Sequence, residues 1–168
     1  MQPLRHTIWF VTLLILQVLV FNHIHIRGYA TPLPFIYLLL VLHSHTPRWV
    51  YVAMGFTLGL LVDVFSNTLG ECAAAATLLG LVTPGLLQAF SPADQDDDGF
   101  EPSADTMKWS GFLKLALSAT LLFTIMFYLL ECFSFLHPTD LALHIGGSSL
   151  ITLIIICAIE RVRLSINK

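Results

Sequence analysis

Long apolar stretches alternate with short polar or proline-containing breaks along the chain, and this pattern predicts helices that cross a membrane. A spanning helix needs about 20 mostly apolar residues. Six stretches are candidate spans, at 6–24, 31–46, 49–68, 71–90, 110–134 and 139–160. We therefore expect an all-α integral membrane protein, a six-span helical bundle that forms a single domain over residues 1–168.

The first two stretches each allow a second interpretation. The apolar run 7–21 follows a basic N-terminus, as in a signal peptide, but it is long for one and more apolar runs follow, so we interpret it as a retained span. The stretch 31–46 begins with Pro32 and Pro34, which leaves an apolar body of only 35–42. A full crossing and a short, partly re-entrant segment are both open for it.

Composition and charge support a membrane location and an orientation. The chain is 56% hydrophobic and 11% charged, whereas soluble domains carry about 25% charged residues. Six spans place seven of the eight basic residues on the side of both termini and leave only Arg27 on the other side. By the positive-inside rule both termini are cytoplasmic. Nothing in the charge pattern favours nucleic-acid binding.

The stretch 91–109 is the only sizeable loop and carries six of the eleven acidic residues. Its prolines, glycine and acids are typical of disordered segments. We interpret it as a solvated, unstructured cytoplasmic connector. The alternative is a docking segment for a basic cytoplasmic partner.

Asp63 is the strongest lead to function, because it is the only charged residue within the apolar run 49–67. A charge deep in a bilayer costs at least about 2.5–3.5 kcal/mol, so the carboxylate must face protein or a polar cavity. We expect a stripe for helix packing or partner contact, formed by Gly55, Gly59, Asp63, Asn67 and Gly70. Asp63 is then either a structural carboxylate or a coupling or proton-relay group.

Other residues predict local features rather than chemistry. Pro84 beside Gly85 predicts a kink in the fourth span. No known catalytic spacing occurs, so we expect no enzyme and no cofactor.

Histidines and cysteines offer two further hypotheses. The pairs His23/His25 and His43/His45 fall on opposite sides of the membrane, so we interpret them as interfacial side chains rather than a metal site. Cys72 and Cys132 fall near the outer ends of their spans, and a disulfide between them is an alternative that spacing alone does not establish.

The segment 55–90 resembles the rod shape-determining protein MreD family. Members carry a glycine-bearing span, an aspartate, a turn with glycine and a span rich in small residues, and the matching positions are Gly55, Gly59, Asp63 and Gly70. The resemblance implies a non-enzymatic scaffold subunit of the cell-wall elongation complex in the bacterial inner membrane. The implied partner is a single-span periplasmic protein of the MreC type, which links the complex to MreB filaments and peptidoglycan synthases.

The MreD family is also similar in fold to the six-helix substrate-binding subunits of energy-coupling-factor vitamin transporters. Fold similarity alone does not carry function. The alternative function is nevertheless a substrate-binding membrane subunit of such a transporter. It requires a polar cavity open to the outside, near Asp63, Glu71 and Glu131.

Overall fold

A computed structural model describes residues 31–66, 68, 70–91, 99–131 and 138–166, and within them the chain is helical with no strand. The helices are α1 (Tyr37–Leu40, after a 3₁₀ turn at Pro34–Ile36), α2 (Arg48–Ser66), α3 (Glu71–Phe90), α4 (Lys108–Glu131) and α5 (Pro138–Ile166). The helices α2 to α5 are long and apolar enough to cross a membrane. Within these residues the predicted all-helical architecture is confirmed, and the four long apolar helices fit the predicted multi-pass membrane protein. The predicted span 6–24 lies outside the described residues.

Helices α2 and α3 form an antiparallel hairpin whose backbones touch. A Cβ atom on Gly55 would lie 2.3 Å from the carbonyl oxygen of Ala76. A Cβ atom on Gly80 would lie 2.3 Å from the carbonyl oxygen of Tyr51. Only glycine allows so close an approach, which explains why small residues recur in these two helices.

The second stretch, 31–46, is not a continuous helix, which favours the short segment over the full crossing. Helical residues cover only 34–40, while 31–33 and 41–47 are irregular. Seven such residues rise about 12 Å, whereas the hydrocarbon core of a bilayer is about 30 Å thick. The short segment is enclosed by the other helices, and Phe35 packs edge-on against Phe123 with ring centroids 5.4 Å apart.

Helices α4 and α5 are antiparallel, and the basic residues of the described chain gather at one end of the bundle. The hydroxyls of Thr124 and Ser149 lie 2.7 Å apart, and the Arg161 guanidinium lies 5.0 Å from the centroid of the Trp109 ring. This end, called the basic end below, holds Arg48, Lys108, Lys114, Arg161 and Arg163. The asymmetry matches the predicted one, while Arg5, Arg27 and Lys168 lie outside the described residues.

Residues 99–107 pack against the basic end, so the expectation of an unstructured connector is wrong for them. Pro102, Ser103, Ala104 and Met107 are buried. A pair of 2.9 Å hydrogen bonds joins the loop to the turn after α1: the Ser44 N–H donates to the carbonyl of Phe100, and the Phe100 N–H donates to the Ser44 hydroxyl. The acids at 94–98 lie outside the described residues.

The outward faces of the long helices are apolar, as lipid contact requires. Large hydrophobic side chains that are at least half exposed include Trp49, Phe56, Val64, Leu81, Leu143, Leu150 and Ile154. Buried polar groups face the interior instead.

We expect Gly80→Ala to destabilise the bundle by about 1–3 kcal/mol, because the added methyl group meets backbone atoms of α2 that have no room to move. Gly85→Ala is the matched control in the same helix. Its Cβ meets nothing within 4 Å, so the better helix propensity of alanine should stabilise by up to about 1 kcal/mol. Thermal unfolding of both variants in detergent measures the difference, and equal melting temperatures would contradict the close backbone contact.

Candidate functional site

Asp63 caps the start of the next helix in the chain. Its side chain is 2% exposed. The Cys72 N–H donates to Oδ1 over 3.0 Å, the Ala73 N–H donates to Oδ2 over 2.8 Å, and the Thr68 hydroxyl also donates to Oδ1. The first N–H groups of a helix have no partner within the helix and carry partial positive charge. The carboxylate therefore satisfies α3 while its own charge is stabilised.

The position of Asp63 along α2 differs from the predicted one. The residue lies three positions before Ser66, where α2 ends, and not deep within a span. The Thr68 N–H donates to the backbone carbonyl of Asp63 over 3.1 Å. Asp63 lies in the last turn of α2, and its contacts with the start of α3 support the structural interpretation over the coupling or relay one.

The glycines of the stripe lie on α2 or directly before α3. A Cβ on Gly59 would lie 2.5 Å from Cα of Ala73, and Gly55 faces α3 one turn earlier. Gly70 precedes α3 with a φ of +90°, a conformation that favours glycine. Asn67 lies outside the described residues. Gly55, Gly59 and Asp63 thus pack against α3 of the same chain, and the face that they form is not open to a partner.

Helix α3 continues through Pro84 to Phe90. Proline has no N–H, so the carbonyl of Gly80 loses its helical donor there. Gly85 has nothing within 4 Å of where a Cβ would stand. The kink at Pro84 and Gly85 stays a prediction.

An irregular backbone segment runs along the middle of α5 and is held by hydroxyl groups. The Thr31 N–H donates to the Ser148 hydroxyl over 3.1 Å. The Leu33 N–H donates to the Thr152 hydroxyl over 3.0 Å. Non-helical backbone is tolerated at membrane depth only where protein satisfies it. Thr152 is the central residue of α5, so this break lies near the middle of the bundle.

A seam of buried hydroxyls continues from these contacts between α4 and α5. We call it the hydroxyl seam, and its members are Thr120, Thr124, Tyr128, Ser148, Ser149 and Thr152. The Tyr128 and Ser148 hydroxyls lie 2.6 Å apart, and Thr124 also donates to the carbonyl of Thr120 over 2.8 Å. Among the described residues the Thr120 hydroxyl is the one buried side-chain polar group without a hydrogen-bond partner.

Glu160 is a second buried carboxylate, fully enclosed at the basic end. The Tyr37 hydroxyl donates to Oε2 over 2.6 Å, and the Ala104 N–H donates to Oε1 over 2.8 Å. Nη1 of Arg163 lies 3.8 Å from Oε2. One side chain of α5 therefore holds both α1 and the loop 99–107.

Arg163 extends this network to the surface of the loop. Its Nη2 donates to the Glu101 carboxylate over 2.8 Å, and its Nη1 donates to the carbonyl of Pro102 over 3.2 Å. The guanidinium thus compensates two carboxylates at once. A buried charge needs such pairing, because removing one partner typically costs about 3–5 kcal/mol.

The sequence reasoning did not single out Glu160 or the hydroxyl seam. One signal was available in the last predicted span, where the polar residues Ser148, Thr152 and Glu160 follow one another at intervals of four and eight positions. Residues four apart share one face of a helix, so this spacing indicates an inward polar face on α5.

The histidines and cysteines of the metal and disulfide hypotheses are described only in part by the structure. Within the described ranges no group of three or more His, Cys, Asp or Glu side chains is placed to hold a metal ion. His43 Nδ1 accepts a hydrogen bond from the His45 N–H over 3.3 Å. Cys72 is buried and Cys157 half-buried, both as free thiols, whereas His23, His25 and Cys132 lie outside the described residues.

We expect Asp63→Asn to lower stability by about 1–2 kcal/mol, because the amide replaces one accepting oxygen with a donor that faces N–H groups of α3. Asp63→Leu should cost more, since it leaves the N–H groups of Cys72 and Ala73 without an acceptor. Glu71→Gln, a half-buried carboxyl at the start of α3, is the control and should change stability less. Unfolding in detergent ranks the three variants, and a neutral Asp63→Leu would contradict the capping role.

We expect Glu160→Ala to release the loop 99–107, because the N–H of Ala104 loses its acceptor and Arg163 loses one of its two carboxylates. Trypsin added to inside-out vesicles should then cut faster after Lys108. Val162→Ala, at an exposed residue of the same helix, is the control and should not change the cleavage rate. Unchanged cleavage in Glu160→Ala would show that the loop is held by other contacts.

No protein-family model matches the chain, and neither a curated protein nor a solved structure does.

Proposed function

We propose that the chain is a non-enzymatic scaffold subunit of the bacterial cell-wall elongation complex. In this proposal it is a six-span protein of the MreD family with both termini in the cytoplasm and a fold like the substrate-binding subunits of energy-coupling-factor transporters. It pairs with a single-span periplasmic protein of the MreC type, and through it reaches MreB filaments and peptidoglycan synthases.

The α2–α3 hairpin is the observation that carries this proposal. The residues of the resemblance are Gly55, Gly59, Asp63 and Gly70, and they form one physical unit. Two glycines bring the helices together, one turns the chain, and the carboxylate caps α3. Their joint occurrence has a structural reason, which supports treating them as a family signature rather than as scattered small residues.

The hydrogen bonds that the two buried carboxylates accept are also those expected of a scaffold. Asp63 and Glu160 each accept hydrogen bonds from backbone N–H groups of another segment. Charged groups used in this way fix helix positions. A scaffold needs a fixed shape with apolar outer faces, and single-span partners can pack on such faces through close van der Waals contact.

A specific observation favours a second candidate, a substrate-binding subunit of a small-molecule transporter. Transporters place their binding sites near the bilayer midplane, where helices are interrupted. The irregular backbone at 31–33 lies beside Thr152, at the middle of α5. The Thr120 hydroxyl, which lacks a partner, belongs to the adjacent hydroxyl seam.

Crosslinking in native membranes followed by affinity purification separates the two candidates. We expect recovery of a single-span periplasmic shape protein together with wall synthases. Recovery of an ATPase pair with a coupling membrane subunit, or a small molecule that stays bound in native mass spectrometry, would favour the transporter candidate. Recovery of neither set of proteins would contradict the scaffold.

Tryptophan substitutions on separate outer faces locate the partner contact. Leu60 on α2, Leu81 on α3 and Leu121 on α4 are exposed and point away from the core, so a larger side chain should leave the fold intact. We expect one of these variants to lose the partner while the amount of the chain in the membrane stays unchanged. The other two variants serve as its controls.

A further inference from the structure

The segment 99–107 has a left-handed backbone conformation at both of its ends. Gly99, at its start, has a φ of +75°, and Lys108, the next residue after the segment, has a φ of +58°. Among the described residues no other non-glycine residue has a positive φ. This conformation is strained for a residue with a Cβ atom, and such strain persists only where surrounding contacts hold it. Lys108 would therefore leave the conformation if the segment were released.

Hydrogen bonds to two separate parts of the bundle hold the segment at the basic end. The N–H of Phe100 donates to the Ser44 hydroxyl, and its carbonyl accepts from the Ser44 N–H, both over 2.9 Å. Further along, the Ala104 N–H donates to Glu160 over 2.8 Å, and Arg163 binds the chain between these two points. Because these contacts are neighbours in the chain, the loss of one loosens the others.

Water can replace the partners of the segment when it lifts away from the bundle. Asp105 and Thr106 are exposed on its outer side, whereas Ala104 and Met107 belong to the hydrophobic core. Exposed and buried residues adjoin each other here, so the freed N–H and carbonyl groups come directly into contact with water. Segments with few buried apolar contacts and replaceable hydrogen bonds are those that open locally while the rest of a protein stays folded.

We propose that residues 99–107 form a strap that opens and closes as a unit about hinges at Gly99 and Lys108. In the closed state the strap covers Glu160 and Arg163 and holds Lys108 under strain. Opening relieves this strain and makes both charged side chains accessible from the basic end. The strap is a conformational switch built into the bundle, and it does not depend on the function proposed above.

Hydrogen exchange of the full chain in detergent micelles, measured by mass spectrometry with fragmentation to single residues, tests the strap. The reporters are the N–H groups of Phe100 and Ala104 within it and that of Ser44, which donates to Phe100 across its edge. If the strap opens as a unit, the three amides have one opening equilibrium after correction for their intrinsic exchange rates. We expect that equilibrium to be well above the one for amides in the middle of α4.

Substitutions at the two hinges should shift the opening in opposite directions. Lys108→Gly and Lys108→Ala remove the same charge at an exposed position, but only glycine adopts a positive φ without strain. We expect the strap amides to exchange about fivefold more slowly in Lys108→Gly than in Lys108→Ala. Gly99→Ala should speed their exchange by at least about fivefold, and its Cβ would also lie 2.7 Å from ring atoms of His43 and His45.

Three results would overturn the proposal. The first is equal exchange of the strap amides in Lys108→Gly and Lys108→Ala, which would remove the hinge. The second is a separate response of the three reporter amides to Gly99→Ala, which would show fraying rather than movement as a unit. The third is exchange no faster than that in the middle of α4, which would show a fixed segment. If Gly99→Ala also speeds exchange throughout α2 and α4, that variant has unfolded, and the two Lys108 variants decide.

Discussion

The need to satisfy backbone N–H groups away from water explains the placement of four polar side chains in the interior of this bundle. Asp63 accepts from the first N–H groups of α3 at one end. Glu160 accepts from Ala104 at the other. Ser148 and Thr152 accept from the irregular segment between them. An unsatisfied polar group in hydrocarbon costs several kcal/mol, so these acceptors decide where the chain can depart from a helix.

Features that depend on local composition could be predicted from the sequence. The apolar stretch 71–90 coincides with α3, and the predicted span 49–68 differs from α2 by one or two residues. Asp63 stood out for the same reason, because a lone charge in an apolar run demands a nearby partner. The hydrogen-bond partners of Asp63 were harder to predict, since the helix that it caps begins eight residues later in the chain.

Features that depend on contacts between residues far apart in the chain could not be predicted from the sequence. The loop 99–107 has the composition of a disordered connector, yet Ser44, Glu160 and Arg163 hold it from 56–62 positions away in the chain. The stretch 31–46 is the weakest predicted span because its apolar body covers only 35–42, and the sequence leaves both a full crossing and a short segment open. Hydroxyls of α5, more than 110 positions away, accept from the N–H groups of Thr31 and Leu33 at the start of this stretch.

The α2–α3 half and the α4–α5 half of the bundle provide arguments for different candidate functions. In the α2–α3 hairpin the backbones are in contact, so this half offers a partner only its apolar outer face. In the α4–α5 half, polar groups surround an irregular segment, as a binding site would require. Both N–H groups of that segment that contact α5 already have protein acceptors, however, so a ligand there would have to displace existing hydrogen bonds and replace them. Contact through the outer faces requires no such exchange, which favours the scaffold over the transporter.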